Sequence, residues 1–266
     1  MFITLEGGEG AGKSTQAVRL VDRLKAAGYR ARFTREPGGT PIAAEIRALL
    51  LHPDESLLAL TRAGLIEPDQ LTQLGSSSAE TDAQTERAAG QLAALDLGEA
   101  LTEPMLPITE LLLLSAARAQ HVARIREWIA AGEIVVSDRY VDATRAYQGA
   151  GRGLDAEVIR DIEQIATGGL VSDLTLLFDL PVDVGQRRKR RHLRQSFLQL
   201  SLFESPAWNR IDNESLEFHT RVRSAYLRVA AAEPERFVVL DATPSADALF
   251  ERVWQEVEPR LPPRTP

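Results

Sequence analysis

The stretch Phe2-Ile3-Thr4-Leu5-Glu6-Gly7-Gly8-Glu9-Gly10-Ala11-Gly12-Lys13-Ser14-Thr15 passes from a short apolar run into a glycine-rich turn and then into a helical pattern. Its part from Gly7 to Ser14 fits G-x-x-x-x-G-K-[ST], directly after a predicted strand and directly before a predicted helix, the context that pattern needs. Small residues let backbone N–H groups turn inward around phosphate oxygens. The following helix presents its positive end, and Lys13 supplies a mobile charge. Gly7, Gly8, Glu9, Gly10, Ala11, Gly12, Lys13, Ser14 and Thr15 are therefore the expected cradle for the phosphates of ATP, with Lys13 a catalytic group and the Ser14 hydroxyl offered to magnesium.

Working outward, Phe2 to Leu5, Arg30 to Thr34, Ile134 to Ser137, Leu174 to Phe178 and Phe237 to Leu240 read as strands. Between them run helical patterns: an apolar stripe of Val18, Leu20, Val21 and Leu24 ending near Gly28, then Ile108 to Ile129, Glu157 to Ala166, Ser215 to Ala232 and Ala246 to Val257. Short apolar strands separated by helices are what a buried parallel sheet requires, because each crossover returns to the same edge. The expected fold class is α/β, a three-layer P-loop NTPase fold with a five-stranded parallel sheet, in one domain over 1–258. A helical insertion is expected over 52–105, an enlarged lid over 187–212 and a flexible tail over 259–266.

Composition narrows the classes further. A chain of 266 residues with 44% hydrophobic and 26% charged residues is an ordinary globular composition, which argues against disorder and fibrous folds. Acidic side chains outnumber basic ones by 38 to 31, giving a net charge of -7, so no nucleic-acid partner is expected and anionic ligands must meet local positive charge. The chain has no cysteine, which excludes disulfides, thiolate metal sites and cysteine nucleophiles. No apolar run approaches the length of a membrane span and the start carries no basic leader, so a cytoplasmic location is expected.

The cradle alone does not separate switches, motors and small-molecule kinases. Asp138-Arg139 follows the third strand, at the sheet edge where ligands bind in open α/β folds. There Asp138 can hold magnesium through water and Arg139 can bridge donor and acceptor phosphates. An Asp-Arg pair at a strand end also occurs as an ordinary surface ion pair. The run Arg187-Arg188-Lys189-Arg190-Arg191 repels itself unless an anion neutralises it, as a closing lid over a triphosphate would, although a solvated basic face has the same composition.

With these residues in place, the chain resembles bacterial thymidylate kinases across nearly its whole length apart from the two extra segments. Phe33-Thr34-Arg35-Glu36-Pro37-Gly38-Gly39-Thr40 is similar to their acceptor-site turn, and Ala116-Ala117-Arg118-Ala119-Gln120-His121 to their nucleobase helix. Asp138-Arg139-Tyr140 with Tyr147-Gln148-Gly149 is similar to their central loop, and Arg210-Ile211-Asp212 with Phe218, Arg221, Val222 and Tyr226 to the helix behind their lid.

The resemblance implies phosphorylation of dTMP by ATP with magnesium, and two copies associating as a homodimer. It implies that Arg118 reads the thymine edge, that Thr144, Tyr147 and Gln148 shape the nucleoside pocket, and that Arg35 and Arg139 grip the acceptor phosphate. Glu9 then lies near the acceptor sugar or the metal. Lid arginines, with Arg188 and Arg190 the expected pair, serve the transition state. Leu114 stands where the family usually has phenylalanine, implying aliphatic packing on the base, and Asn209 stands where aspartate commonly precedes the lid arginine. Two other functions fit the same residues: a kinase for another nucleotide or deoxynucleoside, and a nucleotide-binding regulatory protein that has lost catalysis.

Overall fold

The computed structural model describes residues 1–51, 104–199, 211 and 214–263, with side chains omitted for 192–199. Five parallel strands form one sheet in the order β2-β3-β1-β4-β5, as the alternation of patterns predicts. They are β1 (Phe2–Gly7), β2 (Ala31–Arg35), β3 (Ile134–Asp138), β4 (Leu174–Asp179) and β5 (Phe237–Asp241). The central β1 pairs Leu5 with Asp138 and Gly7 with Phe178, so the cradle and Asp138 leave the sheet side by side at its carboxyl edge. The chain runs from β1 out to β2 and back to β3, and a crevice at such a reversal is where open α/β sheets take ligands.

Side chains alternate across β1 and commit each face to different helices. Ile3 and Leu5 join a cluster with Leu20, Val21 and Leu24 of α1 (Lys13–Ala26) and Leu249, Val253, Trp254 and Val257 of α8 (Ala246–Val257). Phe2, on the opposite face, packs with Val122 and Ile125 of α3 (Pro107–Ala130), against Tyr140 at 5.0 Å between rings. Farther along that face, Leu177 and Phe237 meet Phe218, Val222 and Tyr226 of α7 (Leu216–Ala232).

The α1 stripe differs from the sequence expectation by one residue: Val18 is 46% exposed and Ala17 takes the buried place. Positions 17, 20, 21 and 24 keep the i, i+3, i+4, i+7 spacing, so helical phase rather than side-chain size decides which residue faces in.

The remaining elements frame the carboxyl edge. After β2 comes α2 (Pro41–Leu51), and after β3 a short α4 (Val141–Thr144) runs into a π-helical segment (Arg145–Gly151). Next is α5 (Ala156–Thr167), capped by the Asp155 carboxylate on two backbone N–H groups. The basic run falls on α6 (Val182–Gln199). The tail expected to be free from 259 begins as a short 3₁₀ turn (Glu258–Arg260). Leu261 packs on the α1 cluster and the Tyr29 hydroxyl donates to the Pro262 carbonyl, because that end of the core needs an apolar cover. The insertion expected over 52–105 lies, except for its last two residues, outside the described residues, as do 200–210, 212 and 213 of the lid region.

Leu20 is fully buried between α1, α8 and the sheet. Leu20→Ala is expected to lower unfolding stability by about 3 kcal/mol, read as a shift in the urea midpoint with unchanged slope.

Candidate active site

The cradle folds as its glycines require. Gly12 caps α1 in a left-handed conformation with no side chain on the first-turn N–H groups, which stay open to an anion. Gly10 has φ +71, and a Cβ there would lie 2.3 Å from the Gly185 carbonyl oxygen. A Cβ on Gly185 would lie equally close to the Glu9 carbonyl, so the cradle and the first turn of α6 touch backbone to backbone.

Lys13 Nζ donates to the Gly8 carbonyl at 2.7 Å, folding back over the turn. Burial, with Arg139 beside it, pushes the Lys13 ammonium down to about 8. The Ser14 hydroxyl donates to the Asp138 carboxylate, whose other oxygen is buried with no hydrogen-bond partner. Thr15 is exposed.

Arg139 stands at the junction. It is the one non-glycine residue with positive φ (73°) among the described residues, a conformation that costs free energy and persists only when its surroundings hold it. Its backbone N–H donates to Leu5 O at 3.0 Å, and its carbonyl accepts from Ser137 Oγ at 2.8 Å. The guanidinium pairs with Glu9, donates to the hydroxyls of Tyr226 at 3.3 Å and Tyr147 at 3.2 Å, and lies 4.9 Å from the Tyr147 ring centroid.

Against the burial that would raise it, Arg139, Lys13 and Lys189 hold the Glu9 carboxyl well below the usual range. Beneath this layer Glu6 is fully buried and accepts from Tyr140 N at 2.7 Å and from the Tyr226 hydroxyl at 2.8 Å. Its carboxyl is pushed up to about 8 by burial and then by Asp142. Glu6 thus holds the backbone that follows Arg139 and the hydroxyl that receives its guanidinium.

A cavity of about 240 Å³ opens beside Lys13 and Ser14 and runs past Arg139 to α3 and the π-helical segment. Every residue expected around the acceptor lines it: Glu9, Arg35, Leu114, Arg118, Arg139, Thr144, Tyr147 and Gln148. Asp138 lines it as well.

At its far end Arg118 is nearly inaccessible. Its Nε donates to Glu36 at 2.7 Å, and one Nη donates to Thr144 Oγ1 at 3.0 Å and Tyr140 O at 3.2 Å. The other, Nη1, is buried without a partner. His121 braces the opposite oxygen of Glu36 at 3.1 Å and meets Thr34 Oγ1 at 2.6 Å. Burial of Glu36 works to raise its carboxyl, but Arg118 and His121 outweigh it and hold it below the usual range.

Sequence reasoning missed several lining or supporting groups. Arg47 of α2 lines the cavity, with Nη1 donating to Pro37 O at 3.0 Å, and with Arg35 and Arg139 it makes one corner cationic. The only signal was a single arginine in the otherwise apolar stretch Ile46 to Leu51. Glu110, in the first turn of α3, accepts from the Gln148 amide.

In α6 the order of interest shifts. Lys189, passed over in sequence, reaches Glu9 at 3.0 Å. Arg188, expected at the phosphates, donates instead to the carbonyls of Ala242 and Thr243 at 2.8 Å each, tying α6 to the loop after β5. Helical geometry explains the exchange, since neighbours point about 100° apart and only one of the pair faces the cradle. Arg190 is exposed and does not line the cavity. Asn209 and Arg210 lie outside the described residues.

Among the described residues no group of three or more His, Cys, Asp or Glu side chains could hold a metal ion by itself, and no helix is long and apolar enough to cross a membrane.

Comparison with known proteins agrees with this geometry. A family profile described as Thymidylate kinase matches residues 5–84 and 82–253. A thymidylate kinase of Synechococcus sp. (strain JA-2-3B'a(2-13)) is 40% identical over 263 residues, covering 98% of this chain and 96% of its own length. Those of Desulfosudis oleivorans and Thermomicrobium roseum are also 40% identical, over 98% and 96% of this chain and 98% and 93% of their own. The match thus runs over nearly the whole length of this chain and of each of these relatives. With a profile match over most of its length and relatives this similar from end to end, the chain belongs to the thymidylate kinase family.

Proposed function

We propose that the protein transfers the terminal phosphoryl group of ATP to dTMP, with magnesium, in the cytosol. The observation that carries this reading is the single cavity that joins a phosphate cradle at Lys13 and Ser14 to an arginine-lined pocket ending at Arg118, with Arg139 between them. A donor triphosphate and an acceptor monophosphate would meet at that guanidinium. Arg35 and Arg47 supply the remaining charge for the acceptor phosphate, and Arg118 with Thr144, Tyr147 and Gln148 surrounds the nucleoside, with Leu114 packed on the base.

An oxygen of the acceptor phosphate attacks the γ-phosphorus in line. The bond from that phosphorus to the β–γ bridging oxygen breaks, and ADP leaves. The attacking oxygen is already anionic, so no general base is required, and catalysis rests on alignment and charge stabilisation by Lys13, Arg139 and the cations of α6. Lys189 is the α6 cation nearest the cradle acid, Arg190 stands one residue on, and Arg188 fixes the helix to the loop after β5.

The unpartnered buried oxygen of Asp138 and the Ser14 hydroxyl are hard oxygen groups of the kind magnesium takes, and these two residues would hold it. When bound, magnesium would neutralise charge on the phosphates. Lys13, Ser14, Asp138 and Arg139 all hold positions suited to transfer, which favours an active kinase over a regulatory protein that has lost catalysis.

The decisive assay is ADP formation with dTMP against the other nucleoside monophosphates. dTMP is expected to give the highest kcat/KM, and Lys13→Ala to abolish turnover while its melting temperature stays near wild type. Near-wild-type turnover in that variant would disprove the assignment.

The lowered Lys13 pKa sets a pH dependence. Lys13 is charged below about 8 and neutral above it, and only the cation pairs with phosphate. The kcat/KM for ATP is expected to be flat below that pH and to fall above it. Bound phosphate raises the lysine pKa again, so kcat holds to higher pH. A kcat/KM profile level to pH 9.5 contradicts this.

Two copies of the chain are expected to associate, as the resemblance implies. Ile108 and Leu112 on α3 and Ile165 on α5 supply exposed apolar surface for helix packing. Sedimentation at micromolar concentration should give twice the chain mass, and a monomer there removes this part of the reading.

A further inference from the structure

Glu110 is a carboxylate with 1% exposure at the wall of the acceptor pocket, and the transfer described above leaves it without a role. It stands in the first turn of α3 opposite the π-helical segment. One oxygen accepts from Nε2 of Gln148, and Oε2 faces the Arg152 guanidinium at 3.3 Å. Arg152 is fixed in turn, paired with Glu214 ahead of α7 and lying 4.9 Å from the Phe218 ring centroid.

A primary amide lining a pocket can present either its NH₂ or its carbonyl to a ligand. Paired with Arg152, Glu110 is an acceptor with no hydrogen to offer, so the amide nitrogen must be the end that rests on it. The Gln148 carbonyl is the end left for the cavity. At the same end Arg118 Nη1 is a buried donor without a partner. The wall therefore offers one acceptor and one donor in fixed places.

A pyrimidine with a 4-keto group and an N3–H complements that pair. A 4-amino pyrimidine opposes it twice, with N4–H₂ against the arginine donor and the bare N3 against the carbonyl. Buried polar groups left facing their own kind discriminate far more strongly than a lost apolar contact does. We propose that Glu110 is a positioning residue for base choice: by holding the Gln148 amide in one orientation it makes the acceptor pocket select 4-keto over 4-amino pyrimidine monophosphates. This inference rests on the kinase reading given above.

The test compares kcat/KM for dTMP and dCMP in the wild-type protein and in Glu110→Gln. A glutamine at 110 donates as well as accepts, so it releases the Gln148 amide to turn over. The dTMP preference is expected to fall about tenfold or more, carried by KM for the two acceptors, with KM for ATP unchanged. The exchanged double variant Glu110→Gln with Gln148→Glu rebuilds a donor–acceptor pair whose cavity end can only accept, and is expected to recover the preference for dTMP.

An unchanged dTMP-to-dCMP ratio in a folded Glu110→Gln protein overturns the proposal, as does an exchanged variant that folds without regaining selectivity. If neither variant folds, the wild-type Gln148 side-chain amide protons decide: protection from solvent exchange supports the clamp and free exchange overturns it. Absence of any monophosphate phosphorylation by the wild-type protein removes the kinase reading and this inference together, whereas dTMP selectivity that survives Glu110→Gln removes only the inference.

Discussion

The site depends on how one guanidinium is held. Arg139 occupies a left-handed backbone conformation that its side chain disfavours, and the protein offsets that cost by hydrogen-bonding the residue on every side. Leu5 and Ser137 fix its own peptide groups, Glu6 fixes the next N–H, and Glu9, Tyr147 and Tyr226 fix its head. These partners come from β1, β3, the π-helical segment and α7, so the orientation of one side chain ties together elements more than two hundred residues apart in sequence. Preorganisation of this kind keeps a charge where a reaction needs it without reorganisation at the moment of transfer.

Burial gives the neighbouring ionisable groups separate characters. Glu9 is surrounded by Arg139, Lys13 and Lys189 and stays ionised, whereas Glu6, one layer below and near Asp142, is pushed toward its neutral form. Two carboxylates three residues apart on one strand and loop are thus pushed in opposite directions. Lys13 feels the same low-dielectric setting and loses part of its preference for the proton until an anion restores it. In a protein of net charge -7, two cations of this corner are backed by acceptors, Arg139 by the Glu9 carboxylate and Arg47 by the Pro37 carbonyl.

Much of this was legible in the chain. Strand runs and helical spacing gave the sheet and its crossovers, and the glycine pattern located the cradle. The residues that the resemblance placed around the acceptor line one cavity, Arg35 and Arg139 at the ends of β2 and β3, Leu114 and Arg118 on α3, and Thr144, Tyr147 and Gln148 on the segments that follow β3. What escaped notice depends on three-dimensional partners. The π-helical turn at Arg145–Gly151 has no composition of its own. Glu6 fell one residue past the strand read at Phe2 to Leu5, and only the structure sets it inside β1 and fully buried. Choosing between Arg188 and Lys189 required the rotation of α6 about its axis, which a uniformly basic run does not reveal.

The contact between Gly10 and Gly185 has a mechanical consequence. With no side chain between them, the two main chains behave as a hard stop: the start of α6 cannot tilt inward without compressing the phosphate turn, nor can the turn widen toward it. Whatever swing the basic helix makes toward a nucleotide must therefore bend beyond its first turn, and the near end serves as a fulcrum.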